Sequence, residues 1–357
     1  MQFKGWKVLA QTDLTSRLLE YECLVVLRNI ILFCCACSFV SSTLLFGQES
    51  CQASTDMDAA TRTSMLNAAT RYFDLIARGD TATLRQNAIF ALQSDFSGIE
   101  GTIKANQAAL VGAHPVARPP FLLSEQSTTP NAHAEFFCGV FGKNGQTSDS
   151  AAFFLNGLAP GKYGVVILDA TSAKGSYMVS QILEQQGSDW KLGGLYIKAS
   201  QFNGHDSNWF ITQAQQFKSK GEAHVAWLYY MVARSLISPL PFMSTLATDR
   251  LYDDSAKLQP TDFPVDGKAI NFSSGTATYK LTDLFPEVVG NDLDLIVKYQ
   301  VPSIADSTQT YQSNVAVMKA LVTKYPELRD AFASIVARAV EPSGRDYGTM
   351  LPMKDVK

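Results

Sequence analysis

Apolar residues at Met65, Ala69, Tyr72, Phe73 and Ile76 follow the i, i+4, i+7, i+8, i+11 spacing of a single helix face. Gly79 stops that helix, and Asp80 or Thr81 caps the next, which carries Leu84, Ala88 and Leu92. A third helical stretch runs from Ile99 to Leu110. The period then changes to two. Strands are predicted over 120–127, 132–142, 150–157, 162–171, 175–185 and 189–198, separated by Gly, Asn, Pro and Ser clusters. The last two form a hairpin across residues 185–188. Helices followed by antiparallel strands predict an α+β unit over residues 57–199, with a curved sheet wrapped on a helix.

The middle of the chain, residues 205–260, reads as helical. Asp206 caps a helix to Ser219, a second runs from Gly221 to Ile237, and Pro239 stops it. Phe210, Ala214, Phe217, Ala226, Tyr230 and Ala233 resemble a single tetratricopeptide repeat, with small residues where two antiparallel helices meet. No second copy follows at that period, and a solenoid needs about three. The expectation is a helical hairpin connecting two units, followed by a helix over about 243–258. Residues 264–357 predict a second small α+β unit. Its strands are expected at 267–273, 276–282, 292–301, 333–341 and 346–353, and its main helix carries Val315, Met318, Leu321 and Val322. In the 292–301 strand, Leu293, Leu295, Val297, Tyr299 and Val301 share one face. Asp292, Asp294, Lys298 and Gln300 share the other with Ile296. The turn 341–346 presents opposite charges at a tip.

The run 68–88, AATRYFDLIARGDTATLRQNA, resembles the first two helices of the nuclear-transport-factor-two-like (ketosteroid-isomerase-like) cone superfamily. The closing hairpin with Trp190 and Tyr196 is similar to that superfamily's last strands. The resemblance covers about 140 residues and implies a cone-shaped fold rather than one activity. Enzymes of that superfamily place an acid or a His–Asp pair inside the cone. Here Glu125, His133, Glu135, Asp169, Tyr177 and Glu184 lie on predicted strands, and Tyr72 lies on the first helix. His133 and Glu135 share a strand face, with Ala134, Phe136 and Cys138 on the opposite one. The apolar set makes the better inward face, so His133 and Glu135 are expected to face solvent. No catalytic residue is carried over from the superfamily.

Before these units, residues 29–46 form 18 consecutive uncharged positions, preceded by Arg28 and followed by FGQES. That order describes a secretory signal with cleavage after Gly47, giving a secreted or periplasmic protein. The alternative is a retained single transmembrane anchor over 29–46, at the lower length limit for a bilayer of about 30 Å. Its four Ser/Thr and three Cys weaken that alternative. The preceding 28 residues carry three acids as well as four bases, which suits a start near Val25 or Val26 better than a normal leader. No lipobox is present. Removing residues 1–47 leaves 26 basic and 30 acidic side chains. It also leaves only Cys51 and Cys138, which either pair in an oxidising compartment or remain as a frayed thiol and a buried one.

Composition narrows function further. The 357 residues are 46% hydrophobic and 18% charged, which fits packed domains. Without a basic excess there is no footprint for nucleic acid. Phosphate-loop, dinucleotide and nucleophile-elbow motifs are absent from the sequence. Asp253 and Asp254 point to different faces of their predicted helix. The four histidines, His114, His133, His205 and His224, show no metal-ligand spacing, and His205-Asp206 reads as a helix entry. No cofactor or metal is expected. Three readings remain: an exported binding or interaction protein for a small apolar ligand or a protein partner; a cofactor-free isomerase, dehydratase or hydrolase; and an envelope scaffold that touches membrane only through an uncleaved N-terminal segment. N-terminal sequencing of protein recovered from a bacterial host is expected to begin near Gln48. Recovery of residues 29–46 with the membrane fraction would refute the cleavage.

Overall fold

The computed structural model describes residues 49–141, 145–265, 267–274, 276–289 and 292–357. The apolar stretch 29–46 and the cleavage point at Gly47 lie outside the described residues. The described chain is α+β, with three sheets. Strand β1 (Glu49–Gln52) opens it, followed by helices α1 (Ala59–Arg78), α2 (Thr81–Gln86), α3 (Phe90–Ser94) and α4 (Ser97–Leu110). Asp58 caps α1 by accepting from the Thr61 amide at 2.8 Å. Gly79 ends it in the left-handed conformation, φ 72°, where a side chain would be strained. The stripe read from the sequence is the buried face: Met65, Ala69, Tyr72, Phe73 and Ile76 are all sealed from solvent.

Strands β2 (His114–Ala117), β3 (Phe121–Glu125), β6 (Gly161–Ser172), β7 (Gly175–Gln186) and β8 (Asp189–Ala199) join β1 in an antiparallel sheet. Its order is β1-β3-β6-β7-β8, with β2 beside β6. Both of its faces are packed. Val166, Leu168 and Ala170 of β6 meet the helices in one core. The alternating set Tyr163, Val165 and Ile167 enters a second core. That second core is closed by an antiparallel sheet of β4 (Ala134–Cys138), β5 (Ala151–Leu155) and β9 (Met243–Thr245). Helix α1 approaches the first sheet closely. A Cβ at Gly164 would lie 2.0 Å from Met65 Sδ, so a side chain at this β6 position would have to displace the Met65 side chain of the helix above it. Cys51 and Cys138 are joined, tying β1 to β4 across 87 residues with their Cα atoms 5.0 Å apart. A link closing so long a loop typically stabilises by about 2–4 kcal/mol, chiefly by restricting the unfolded chain.

Helices α5 (Ser207–Ser219) and α6 (Ala223–Ile237) follow one another in the segment that the sequence marks as helical. Its apolar side chains pack with the third sheet, in one core that runs from Phe210 to Val356. Helix α6 is buried almost all round, from Val225 to Leu236. The helix expected over 243–258 is corrected: residues 243–245 are strand β9, and α7 (Leu246–Ala256) begins only after Thr245. Thr245 and Thr248 form a reciprocal capping box there, and Met243 is drawn into pairing with Phe153. The third sheet has the order β10 (Ile270–Ser274), β11 (Ala277–Val289), β12 (Asp292–Gln300), β13 (Ser334–Val340) and β14 (Asp346–Pro352). Only β12 and β13 are parallel, and α8 (Ser307–Lys324) and α9 (Leu328–Ala331) lie in their crossover.

One detail of this unit differs from the sequence reading. Strand β11 runs on to Val289, past the expected end at 282, and its pairing with β12 shifts register at a bulge between Leu281 and Asp283. Asp294 is buried, 2% exposed, and its Oδ1 has no partner among the described residues. Asp294 lies opposite Glu287 of β11 and is hydrogen-bonded by Ser334 at the start of β13. Burial, with Asp292 nearby, raises the Asp294 pKa. The charged tip at 341–346 satisfies itself. Arg345 pairs with Glu341 at 2.8 Å, Arg338 pairs with Asp346, and Glu341 accepts from the Ile304 amide at 2.8 Å.

Phe73 is 1% exposed at the centre of the α1 stripe. Phe73→Ala is expected to cost roughly 3–5 kcal/mol in chemical denaturation. A loss below about 1 kcal/mol would show that this face does not hold the helix to the sheet.

Candidate functional site

The acids and histidine nominated on the first unit's strands do not converge. His133 and Glu135 are exposed, while Ala134, Phe136 and Cys138 face the core. The His133 ring nitrogen Nδ1 lies 2.8 Å from Asn156 Oδ1, which is not a carboxylate. Glu125 is buried and accepts from the Ser127 amide and from Asn131 Nδ2, which also donates to Glu49 at 2.6 Å. Its role is to hold the loop after β3. Asp169 takes a two-pronged bond from Arg118, at 2.7 and 2.8 Å. Glu184 accepts from Gln186 within its own hairpin, and Tyr177 packs at the edge of the helical core. Tyr72 is core, and its hydroxyl donates to the Trp190 carbonyl at 2.6 Å. In the middle segment, Asp206 caps α5 and His205 stacks on Trp209 with ring centroids 4.0 Å apart.

A more enclosed site lies between α6, α7 and β11. A groove of about 290 Å³ is walled by Trp227, Met231, Tyr252, Pro264, Val265, Leu284 and Phe285. Arg234, Ser255, Gln259 and Asp283 supply a few polar atoms. The volume is near the lower end of small-molecule sites, about 300–1,000 Å³, and the mainly apolar wall with sparse polar groups is their usual chemistry. Each wall has a local cause. Helix α6 contributes Trp227, Met231 and Arg234 at i, i+4, i+7, one face of a helix. The Arg234 guanidinium carbon lies 4.8 Å from the centroid of the Tyr252 ring, joining α6 to α7 across the groove. Strand β11 presents Asp283 to Phe285 just past its last pairing with β10 at Leu281.

The remaining wall, Pro264-Val265, belongs to a loop and is held by a cluster of titratable groups. His224 Nε2 lies 2.9 Å from Asp262 Oδ1, and its Nδ1 lies 3.2 Å from Glu327 Oε1. The Tyr325 hydroxyl donates to Asp262 Oδ2 at 2.8 Å, with Lys324 Nζ 3.8 Å from the same oxygen. Phe263 packs against His224, Tyr325 and Trp227. The start of α6, the loop before β10 and the end of α8 are therefore clasped together behind the groove. Burial disfavours the Asp262 charge, but the hydrogen bonds from His224 and Tyr325 outweigh it and hold its pKa below 3.8. Burial and the Asp262 charge push the Tyr325 hydroxyl well above its ordinary range, so it stays a donor.

Among the described residues no group of three or more His, Cys, Asp or Glu side chains is placed to hold a metal ion, and no helix is long and apolar enough to cross a membrane. The sequence reading missed the groove and the clasp. His224 and Asp262 are 38 residues apart, and no spacing rule links them. The one usable signal was the nearly unbroken apolar run of α6, which has to be covered on every side. Comparison with known protein families, with curated proteins and with solved structures found no match for this chain.

The clasp generates a pH prediction. A carboxylate whose folded pKa lies below its unfolded value stabilises fully above the unfolded value, and that stability is lost as pH falls through the folded one. Wild type is expected to melt above Asp262→Asn at pH 5–7, and the gap is expected to close below about pH 4, where carboxyls protonate. A gap that stays constant down to about pH 2 would show that the Asp262 charge does not hold the clasp.

Proposed function

We propose that the protein is an exported binding protein, and that its ligand is a small, mainly apolar molecule held in the groove between α6, α7 and β11. The observation that carries this reading is the groove itself: three aromatic walls on packed secondary structure, with a few polar atoms at its margin. Two of its walls are a fully packed helix and a sheet strand, so the site is pre-formed, which lowers the ordering cost of binding. Export rests on the pattern at residues 28–51. The Cys51–Cys138 link supports an oxidising destination.

The cone-like reading of residues 57–199 stays part of the proposal. It is supported by helices preceding a long antiparallel hairpin that carries Trp190 and Tyr196. It does not supply the ligand site in this reading, because α1 packs directly on the sheet through Met65 and Gly164.

The apolar dye 1-anilinonaphthalene-8-sulfonate, titrated into the native protein, tests the groove. One saturable site is expected, weakened at least tenfold in Ala256→Trp, which places an indole in the groove from the exposed side of α7. Unchanged dye affinity in a normally folded Ala256→Trp protein would overturn the reading.

A further inference from the structure

One face of the third sheet packs on the core that contains α6 and α8, and its other face points away from that core. Register sets the outward residues in rows across the strands. Phe285 of β11 pairs with Ile296 of β12, Ile296 with Val336 of β13, and Val336 with Met350 of β14, an apolar row four strands wide. The inward neighbours Leu284, Leu295 and Ile335 belong to the core, whereas none of the four row residues belongs to a core among the described residues. Exposure along the row is least at Ile296, 7%, and greatest at Met350, 55%.

The charges on the two sides of this row are unlike. On one side Asp283, Lys298 and Arg338 form the next row, with Lys280 and Asp346 beyond it. Lys298 Nζ lies 3.9 Å from Asp283 Oδ2 and 5.2 Å from the centroid of the Phe285 ring, so the lysine stem runs along the apolar row. Three cations on that side meet two acids. On the other side stand Glu287, Asp292 and Asp294, with no lysine or arginine beside them on these strands. None of the three forms an ion pair among the described residues, and the partnerless Oδ1 of Asp294 lies in this acidic flank.

A second copy of the same face answers both features. A two-fold axis along the apolar row turns one face over onto the other, so each row residue meets its own counterpart and the flanks exchange places. The flank with three cations then covers the acidic flank, twice by symmetry. An axis along the strands would set acids over acids instead. With strands about 4.8 Å apart and residues about 3.3 Å apart along them, a face four strands wide and nine residues long measures roughly 19 by 30 Å. Two such faces bury on the order of 1,200 Å², the low end of specific, stable interfaces.

We propose that the protein pairs with a second copy of itself through this outer face of the third sheet, apolar row on apolar row. Sedimentation equilibrium of the whole protein is expected to show a monomer–dimer equilibrium with a dissociation constant on the order of 10 µM. Met350→Arg puts a charge into the row, and Lys298→Glu removes the net positive charge of its flank. Each is expected to weaken pairing at least tenfold. Both side chains reach solvent, so the variants keep the fold, with circular dichroism as the check. Raising salt from about 0.05 M to about 0.5 M is expected to weaken the wild-type dimer severalfold. Two results would overturn the proposal: a protein that stays monomeric up to about 500 µM, or a dimer that either substitution leaves within twofold, which would place the contact elsewhere.

Discussion

The double-sided burial of β6 and β7 governs the rest of the first unit. Successive side chains of a strand point to opposite faces, so a strand apolar at nearly every position must be covered twice. Val165, Val166, Ile167 and Leu168 are all buried, and they alternate between two separate cores. Helices α1 to α4, which precede the sheet in sequence, cover one side. The other side needs β4 and β5, which interrupt the strand order, and β9, which arrives from residue 243 onward. The third sheet's unit is therefore reached only after the chain has returned to the first.

That return settles where α6 lies. Lys198 of β8 donates to the carbonyls of Ser235 and Ser238, at the C-terminal end of α6, at 2.9 and 3.0 Å. A cation there complements both the unpaired carbonyls and the helix dipole. Burial among these groups lowers the Lys198 pKa, yet its bonds to the carbonyls keep it useful as a donor. On the other side, the Tyr229 hydroxyl reaches the Ala331 carbonyl at 2.9 Å. Held from both sides, α6 becomes a rigid wall, and the groove is the space that α7 and β11 leave beside it.

What could be read from the residues follows the range of the forces involved. The α1 stripe, the Gly79 stop, the Asp206 cap and the alternation through β6, β7 and β8 are set by neighbours within a few residues, and they fell where the pattern put them. Strands β1 and β2 were missed because four-residue edge strands carry too little periodicity. Residues 243–245 were misread because their strand state comes from Phe153, some 90 residues earlier. The burial of Asp294 was not legible for a related reason: a polar residue in a strand pattern says nothing about what the adjoining strands put over it. The clasp was the least legible part, since His224, Asp262, Tyr325 and Glu327 meet only after three separate elements have packed.

The α6 groove and the surface beside α1 differ in a way that follows from the same packing. The α6 groove is apolar because its walls are the leftover faces of core elements, and any ligand there is selected mainly by shape and buried area. The surface beside α1 is different: Trp190 beneath it is buried in the core, while Ser64, Asn67 and Arg71 lie on the solvated side of α1. The Tyr72–Trp190–Ser64 bonds connect this surface to the helix–sheet packing beneath it. A change in how α1 seats on the sheet would therefore move Arg71 relative to the start of β8, just as a change in the third sheet's packing would move the walls of the apolar groove.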